Sequence, residues 1–183
     1  MAERIDEILL VTRNPDGSAH IAPMGLRQRD GLHLLAPFRP SRTLDNLSRH
    51  GYASVNTTDD VRLYAGALTG RRDWPVSPCT KIPGARLRDA LSHRELRVVR
   101  VEQDDTRPRF FCQVEREHNH RPFQGYNRAQ AAVLELAILV SRLDWLPADK
   151  VEAELAYLQI AIDKTAGPQE LEAWQWLQQR IDA

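Results

Sequence analysis

The chain reads as mainly β with α segments: a small antiparallel β-barrel followed by a helical appendage. Three observations predict this. Short apolar runs in the first two thirds are separated by turn residues at close spacing. Two short helical patterns interrupt those runs. From Arg128 onward the periodicity turns helical and stays so. The division falls at residues 1–120 for the barrel and 121–183 for the helices.

Taken in order, Glu7 to Arg13 is a β-rich run that ends at the turn Asn14-Pro15-Asp16-Gly17. Ala19 to Leu26 follows, then a turn around Arg29-Asp30-Gly31, then Leu32 to Ala36. Three runs joined by two tight turns predict a meander. Ser41 is placed to cap a helix running to His50, with Leu44 and Leu47 on its apolar edge and Gly51 at the left-handed end position. Tyr52 to Asn56 reads as a strand. Asp59 or Asp60 caps a second helix, in which Val61, Tyr64, Ala65 and Leu68 share a face. The proline-rich stretch from Arg71 to Ala85 reads as loop. Arg94 to Val101 and Arg109 to Glu115 complete the strands, joined by the polar link from Gln103 to Pro108. Arg128 to Leu143 is an apolar helix with one polar stripe, Arg128, Glu135 and Arg142. Pro147 opens the next helix, with Val151, Leu155, Leu158 and Ile162 on one face. Gly167-Pro168 separates it from a last one carrying Leu171, Trp174, Leu177 and Ile181.

Composition narrows the function classes. Lys plus Arg and Asp plus Glu both total 25, a balance that disfavours a nucleic-acid binder. The cations are mostly arginine, which suits bidentate recognition of phosphate or carboxylate. The two cysteines, Cys79 and Cys112, form no CxxC pair, so no zinc site is expected and a reducing compartment is. A chain of 183 residues buries roughly 70% of its unfolded surface and folds without staples. The N-terminal residues do not read as a signal peptide, and Ala131 to Val140 is too short to span a bilayer. A cytoplasmic protein without membrane or nucleic-acid partners is expected. No GxGxxG, Walker, GxSxG or HExxH motif is present.

The stretch Ala36-Pro37-Phe38-Arg39-Pro40-Ser41-Arg42-Thr43 leaves a strand and enters a helix. Hydroxyls and arginines beside a helix N-terminus suit an anion. The same spacing also fits a capped helix with two solvated arginines. Ala22-Pro23-Met24-Gly25 sets a proline and a glycine inside a strand pattern, as a planar ring lying along the strand would require, or as an edge strand with a bulge would. Asp59 and Asp60 suit a cation or acid–base work, or simply a helix cap. His118 and His120 sit in a charged loop, solvated on the simplest reading. Asn127 caps the apolar helix, and Arg128 is free to meet an anion or an acid. No catalytic residue is identified.

Together these segments, with Thr12-Arg13-Asn14-Pro15-Asp16-Gly17, Asn46-Leu47, Val55-Asn56 and Gly125-Tyr126-Asn127-Arg128-Ala129, resemble domain-of-unknown-function family 447, itself similar to the flavin-reductase-like split barrels. The resemblance implies a six-stranded antiparallel split β-barrel with a three-helix C-terminal appendage. It implies a homodimer that binds FMN between subunits. Pro23, Met24 and Gly25 would border the isoalloxazine, Pro37 and Phe38 would follow along it, and Arg39, Ser41 and Thr43 would hold the phosphate. Asn56 and Arg128 are further cofactor candidates. The implied function is that of an FMN-binding flavoprotein. It would be an oxidoreductase acting on a small conjugated substrate, or alternatively a non-catalytic electron carrier or sensor.

Overall fold

A computed structural model describes residues 3–183. They form two compact units. The first runs up to Thr58 and resumes over Trp74–Pro122; the second combines Asp59–Asp73 with Phe123–Ala183. The boundary read from sequence lies close to Pro122. The segment Asp59–Asp73, which chain position alone assigns to the barrel, sits with the helices, where its apolar side chains find partners.

The first unit holds β1 (Asp6–Arg13), β2 (Ala19–Arg29), β3 (Leu32–Leu35), α1 (Arg42–His50), β4 (Tyr52–Thr57), β5 (Val76–Pro78), β6 (Ala85–Leu87), β7 (Ser92–Glu102) and β8 (Arg109–Asn119). Six of the strands close an antiparallel barrel in the order β1-β2-β3-β8-β7-β4. β1 and β2 pair in unbroken register from Asp6↔Leu26 to Arg13↔Ala19. Their turn is closed by Gly17 N–H on Asn14 O at 3.0 Å, with Gly17 at φ 89°. β3, by contrast, pairs only with Arg27–Arg29 of β2. Among the described residues, Ala19–Leu26 therefore has a strand on one side only.

Alternation sends Ile8, Leu10, Leu26, Leu35, Val55, Leu96 and Phe110 into one interior cluster. Leu44 and Leu47 of α1 join it, so the helix packs against the barrel core with its buried edge. Leu9 and Val11 point the other way yet are buried too. The outer face of β4 is covered there: Ser54 Oγ donates to Ala85 O at 2.7 Å, and Leu87 N–H donates to Asn56 Oδ1 at 2.9 Å. These bonds hold the small β5–β6 sheet. It lies largely in the stretch read from sequence as loop. Its strands are three residues each, too short to show a period of two.

The second unit holds α2 (Arg62–Leu68), α3 (Arg128–Val140), α4 (Ala148–Thr165) and α5 (Pro168–Ile181). Val61 and Ala65 share a buried cluster with Val133, Leu136, Trp174 and Leu177. α3 stops at Val140, short of the expected Leu143. Ser141 Oγ takes Ile138 O at 2.7 Å, the carbonyl that a continuing helix would offer to Arg142. Arg142 N–H turns to Leu139 O instead, and a single 3-10 turn over Leu143–Trp145 follows. No described helix is long and apolar enough to cross a membrane.

Candidate functional site

The chemistry expected between Ala36 and Thr43 is concentrated at the start of α1. Ser41 takes an extended conformation, and its Oγ accepts Leu44 N–H at 3.2 Å. The first-turn N–H groups of Arg42 and Thr43 have no intrahelical acceptor, as in any helix, and give this end its positive potential. Thr43 is buried, with Oγ1 3.2 Å from Nε2 of His20 on β2. When His20 donates that bond, the Thr43 hydroxyl keeps its own proton for a ligand. The contact also ties the helix start to the stretch of β2 that lacks a second strand.

The loop leading into α1 is clamped from the β7–β8 link. Arg107 donates Nε and Nη2 to Ala36 O at 3.1 and 2.9 Å, and its guanidinium carbon lies 4.1 Å from the centroid of the Phe38 ring. Arg39 N–H reaches Thr106 O at 2.9 Å. Asp104 shapes that link by accepting the N–H groups of Arg107 and Thr106, and those bonds hold its carboxyl below the usual range. Phe38 and Arg39 are exposed, whereas Pro37 is buried. Behind them, Asn46 Nδ2 donates to Thr12 Oγ1 at 3.0 Å and Asn14 Oδ1 at 3.1 Å, pinning α1 to β1. A depression of about 430 Å³ between α1 and the β1–β2 turn carries Arg42 and Arg49 together with Asp16 and Asp45.

Along β2, Pro23 and Gly25 share one face and Met24 takes the other. Met24 packs against the interior cluster, so only its backbone borders the open side. A Cβ at Gly25 would meet Ile5 Cγ2 at 2.6 Å, so the close approach that this glycine permits is made by the chain itself. Asn56 is completely buried. Its Nδ2 lies within reach of Leu9 O, Ser54 O and Ser54 Oγ, and its Oδ1 accepts Leu87 N–H. Both ends of its amide are thus engaged within the barrel wall. Arg128 is exposed and belongs to the helical unit, at the first residue of α3. Asn127 caps that helix by accepting Ala129 N–H at 2.7 Å and Gln130 N–H at 3.3 Å.

Sequence reading missed His20 and Arg107. Each acts through a partner 23 or 71 positions away in the chain, Thr43 and Ala36, and neither carries a local motif. The N-cap position of α2 is Val61, which makes no side-chain cap bond; just before it, Asp60 Oδ1 accepts Arg62 N–H at 3.1 Å while the carboxylate pairs with the Arg62 side chain. Among the described residues, no group of three or more His, Cys, Asp or Glu side chains is arranged to hold a metal ion.

The family model for the N-terminal domain of Protein of unknown function (DUF447) matches residues 6–121, and the model for Protein of unknown function (DUF447) matches residues 127–179. No curated protein matches the chain. Among solved structures, an FMN-bound DUF447 protein from Methanosarcina mazei is similar with a TM-score of 0.84 at 17% identity. That likeness covers 98% of this chain and 96% of the other. A 2-nitrobenzoate 2-nitroreductase from Pseudomonas fluorescens is similar with a TM-score of 0.54 at 19% identity, over 66% of each chain. A flavoredoxin from Methanosarcina acetivorans has a TM-score of 0.55 at 15% identity, over 63% of this chain and 69% of that one. At such identities the likeness is one of fold: a closed six-stranded antiparallel barrel.

Proposed function

For a chain that belongs to the DUF447 family, we propose an FMN-binding flavoprotein that works as an oxidoreductase on a small conjugated substrate. The observation that carries this reading is the start of α1. A helix N-terminus and the Ser41 and Thr43 hydroxyls gather beside the half-paired stretch of β2, and exposed Arg39 precedes Ser41 by two residues in the chain. A phosphate dianion suits that donor set. The barrel fold shared with an FMN-bound protein adds the nature of the rest of the ligand.

The residues divide the work. Ser41, Thr43 and Arg39 bind the phosphate, and His20 orients the Thr43 hydroxyl. Pro23 and the backbone of Met24 give the ring a strand edge, while Gly25 is faced by Ile5, and Phe38, held by Arg107, borders the ring. FMN supplies hydride and electron transfer when bound. Its uptake as a homodimer is supported by exposed apolar side chains on the barrel unit, among them Phe38, Val99 and Val101. A stable monomer with full FMN in sedimentation would refute the shared site. The free thiols of Cys79 and Cys112 support a cytoplasmic setting.

The test is direct. The purified protein titrated with FMN shows a bound-flavin visible spectrum, and NADH or NADPH without oxygen bleaches it. Bleaching by neither nucleotide points to an electron carrier, and no FMN binding at all overturns the proposal. Replacing Ser41 and Thr43 together by Ala weakens FMN binding by about 1–3 kcal/mol per lost charge-assisted bond. Unchanged affinity would place the phosphate elsewhere.

A further inference from the structure

In the helical unit, α4 turns one face inward and a second, apolar at its centre, to water. Leu158 and Ile162 enter the core of the unit with Leu155 packed alongside, and Val151 is buried on the same side. At about 100° per residue, the opposite side of the helix carries Asp149, Ala153, Ala156, Tyr157, Ile160 and Lys164. All of these are exposed, Tyr157 by 72% and Ile160 by 49%. The side of a surface helix that points away from its core ordinarily carries charged and polar residues. Here the central positions, Ala153 to Ile160, carry none. The charges stand one turn beyond them, the acid at the N-terminal end and the base at the C-terminal end.

This face consists of two ridges of i, i+4 neighbours, Asp149-Ala153-Tyr157 and Ala156-Ile160-Lys164. Ridges of this kind interdigitate in the commonest class of helix packing, at a crossing of about 50°. Turned end over end about the point midway between Ala156 and Tyr157, the face matches itself, each ridge meeting the other. Asp149 then faces Lys164 of a second copy, Ala153 faces Ile160 and Tyr157 faces Ala156. An acid meets a base, and each large side chain meets a small one. A parallel pairing would set aspartate against aspartate and lysine against lysine, and would also align the helix dipoles. Complementarity of a surface with itself is what a two-fold contact between identical chains requires. A different partner would not call for it.

We propose that the outer face of α4 is a contact between two copies of this chain, an antiparallel α4–α4 pair on a two-fold axis. Burial of Tyr157 and Ile160 drives it, and Asp149 with Lys164 at both ends sets its direction and register. One helix face is a small contact beside the about 1,200–2,000 Å² of a standard interface. The pair is therefore weak by itself and forms as concentration rises. It lies on the helical unit, whereas Phe38, Val99 and Val101 lie on the barrel unit. The α4 contact is thus separate from the dimer proposed for FMN uptake and does not rest on it.

Sedimentation equilibrium of the full chain over a wide range of concentrations tests the pair. The wild type is expected to show an association step that Ile160→Glu weakens by at least about tenfold, because the new carboxylate is set against Ala153 of the second copy in a closed contact. That glutamate stands one turn before Lys164 in its own helix, an arrangement that supports the helix. Asp149→Lys alone, or Lys164→Asp alone, puts like charges at both ends of the pair and weakens it by about three- to tenfold. The two reversals together restore it. Circular dichroism of each variant checks that the helices are intact. A step that belongs to the barrel persists in all of these variants, so failure of the α4 pair is read apart from failure of the FMN-linked dimer. An association indifferent to Ile160→Glu overturns the proposal and leaves the face to another partner. A double reversal as weak as the single ones overturns it as well, since the charges then do not meet in the antiparallel register.

Discussion

Asn56 and Ser41 are both polar residues near strand and helix ends, yet their surroundings give them opposite roles. The amide of Asn56 bridges Leu9 and Ser54 on one side to Leu87 N–H on the other, with no solvent exposure. Asn56→Ala leaves the Leu87 N–H buried without its partner and removes one of the bonds between β4 and β6, the Ser54 Oγ–Ala85 O bond remaining. Destabilisation of about 1–3 kcal/mol is expected, read as a lower urea midpoint. FMN affinity of the protein that remains folded is expected to be unchanged; a large loss of affinity would mean that Asn56 reaches the ligand after all. Ser41 is only half-buried and bonds one N–H, Leu44's. Its loss removes a helix cap worth about 1 kcal/mol and, under the proposed function, a phosphate donor together. Affinity and stability thus separate these two residues, although both stood as cofactor candidates when only their neighbours in the chain were known.

At the scale of the element, α1 is marked by local chemistry at both ends. Gly51 sits at φ 67°, and its N–H donates to Leu47 O at 2.9 Å. Gly51→Ala places a Cβ in the left-handed region at a cost of about 1 kcal/mol. A drop in urea midpoint with an unchanged slope would show it, and an unchanged midpoint would argue against the cap. Such local marks explain what was legible in advance. Asp30-Gly31, both at positive φ, closes the β2–β3 hairpin, and Asn127 caps α3. Elements whose cause lies far along the chain were not legible. The β5–β6 sheet exists because Ser54 and Asn56 offer it bonds from another strand. The loop into α1 takes its form from Arg107, and α3 ends at Val140, where the Ser141 hydroxyl donates to Ile138 O. His118, read as part of a loop, lies on β8 opposite buried His93, and His120 follows the end of that strand with its Nε2 2.9 Å from His93 Nδ1.

At the scale of the whole molecule, the chain passes between the two units three times, after Thr58, after Asp73 and after Pro122. The helical unit is therefore not a simple C-terminal addition. α2 arrives from within the barrel sequence, and Val61 and Ala65 are buried among residues of α3 and α5, with Leu68 packed alongside. A chain ending at Pro122 keeps every barrel strand but leaves that apolar face of α2 without α3 and α5. Each large side chain so exposed forfeits roughly 1.5–3 kcal/mol of burial, and a short helix without its packing partners is marginal in water. The truncated protein is expected to bind hydrophobic dyes and to scatter light on concentration. Val61→Ser, Ala65→Ser and Leu68→Ser in the same truncated chain should relieve both effects, since the strands that close the barrel are untouched. If the truncated chain without these substitutions stays clear and dye-free, α2 does not depend on α3 and α5. The barrel would then stand by itself with the segment from Asp59 to Asp73 as an ordinary surface insertion.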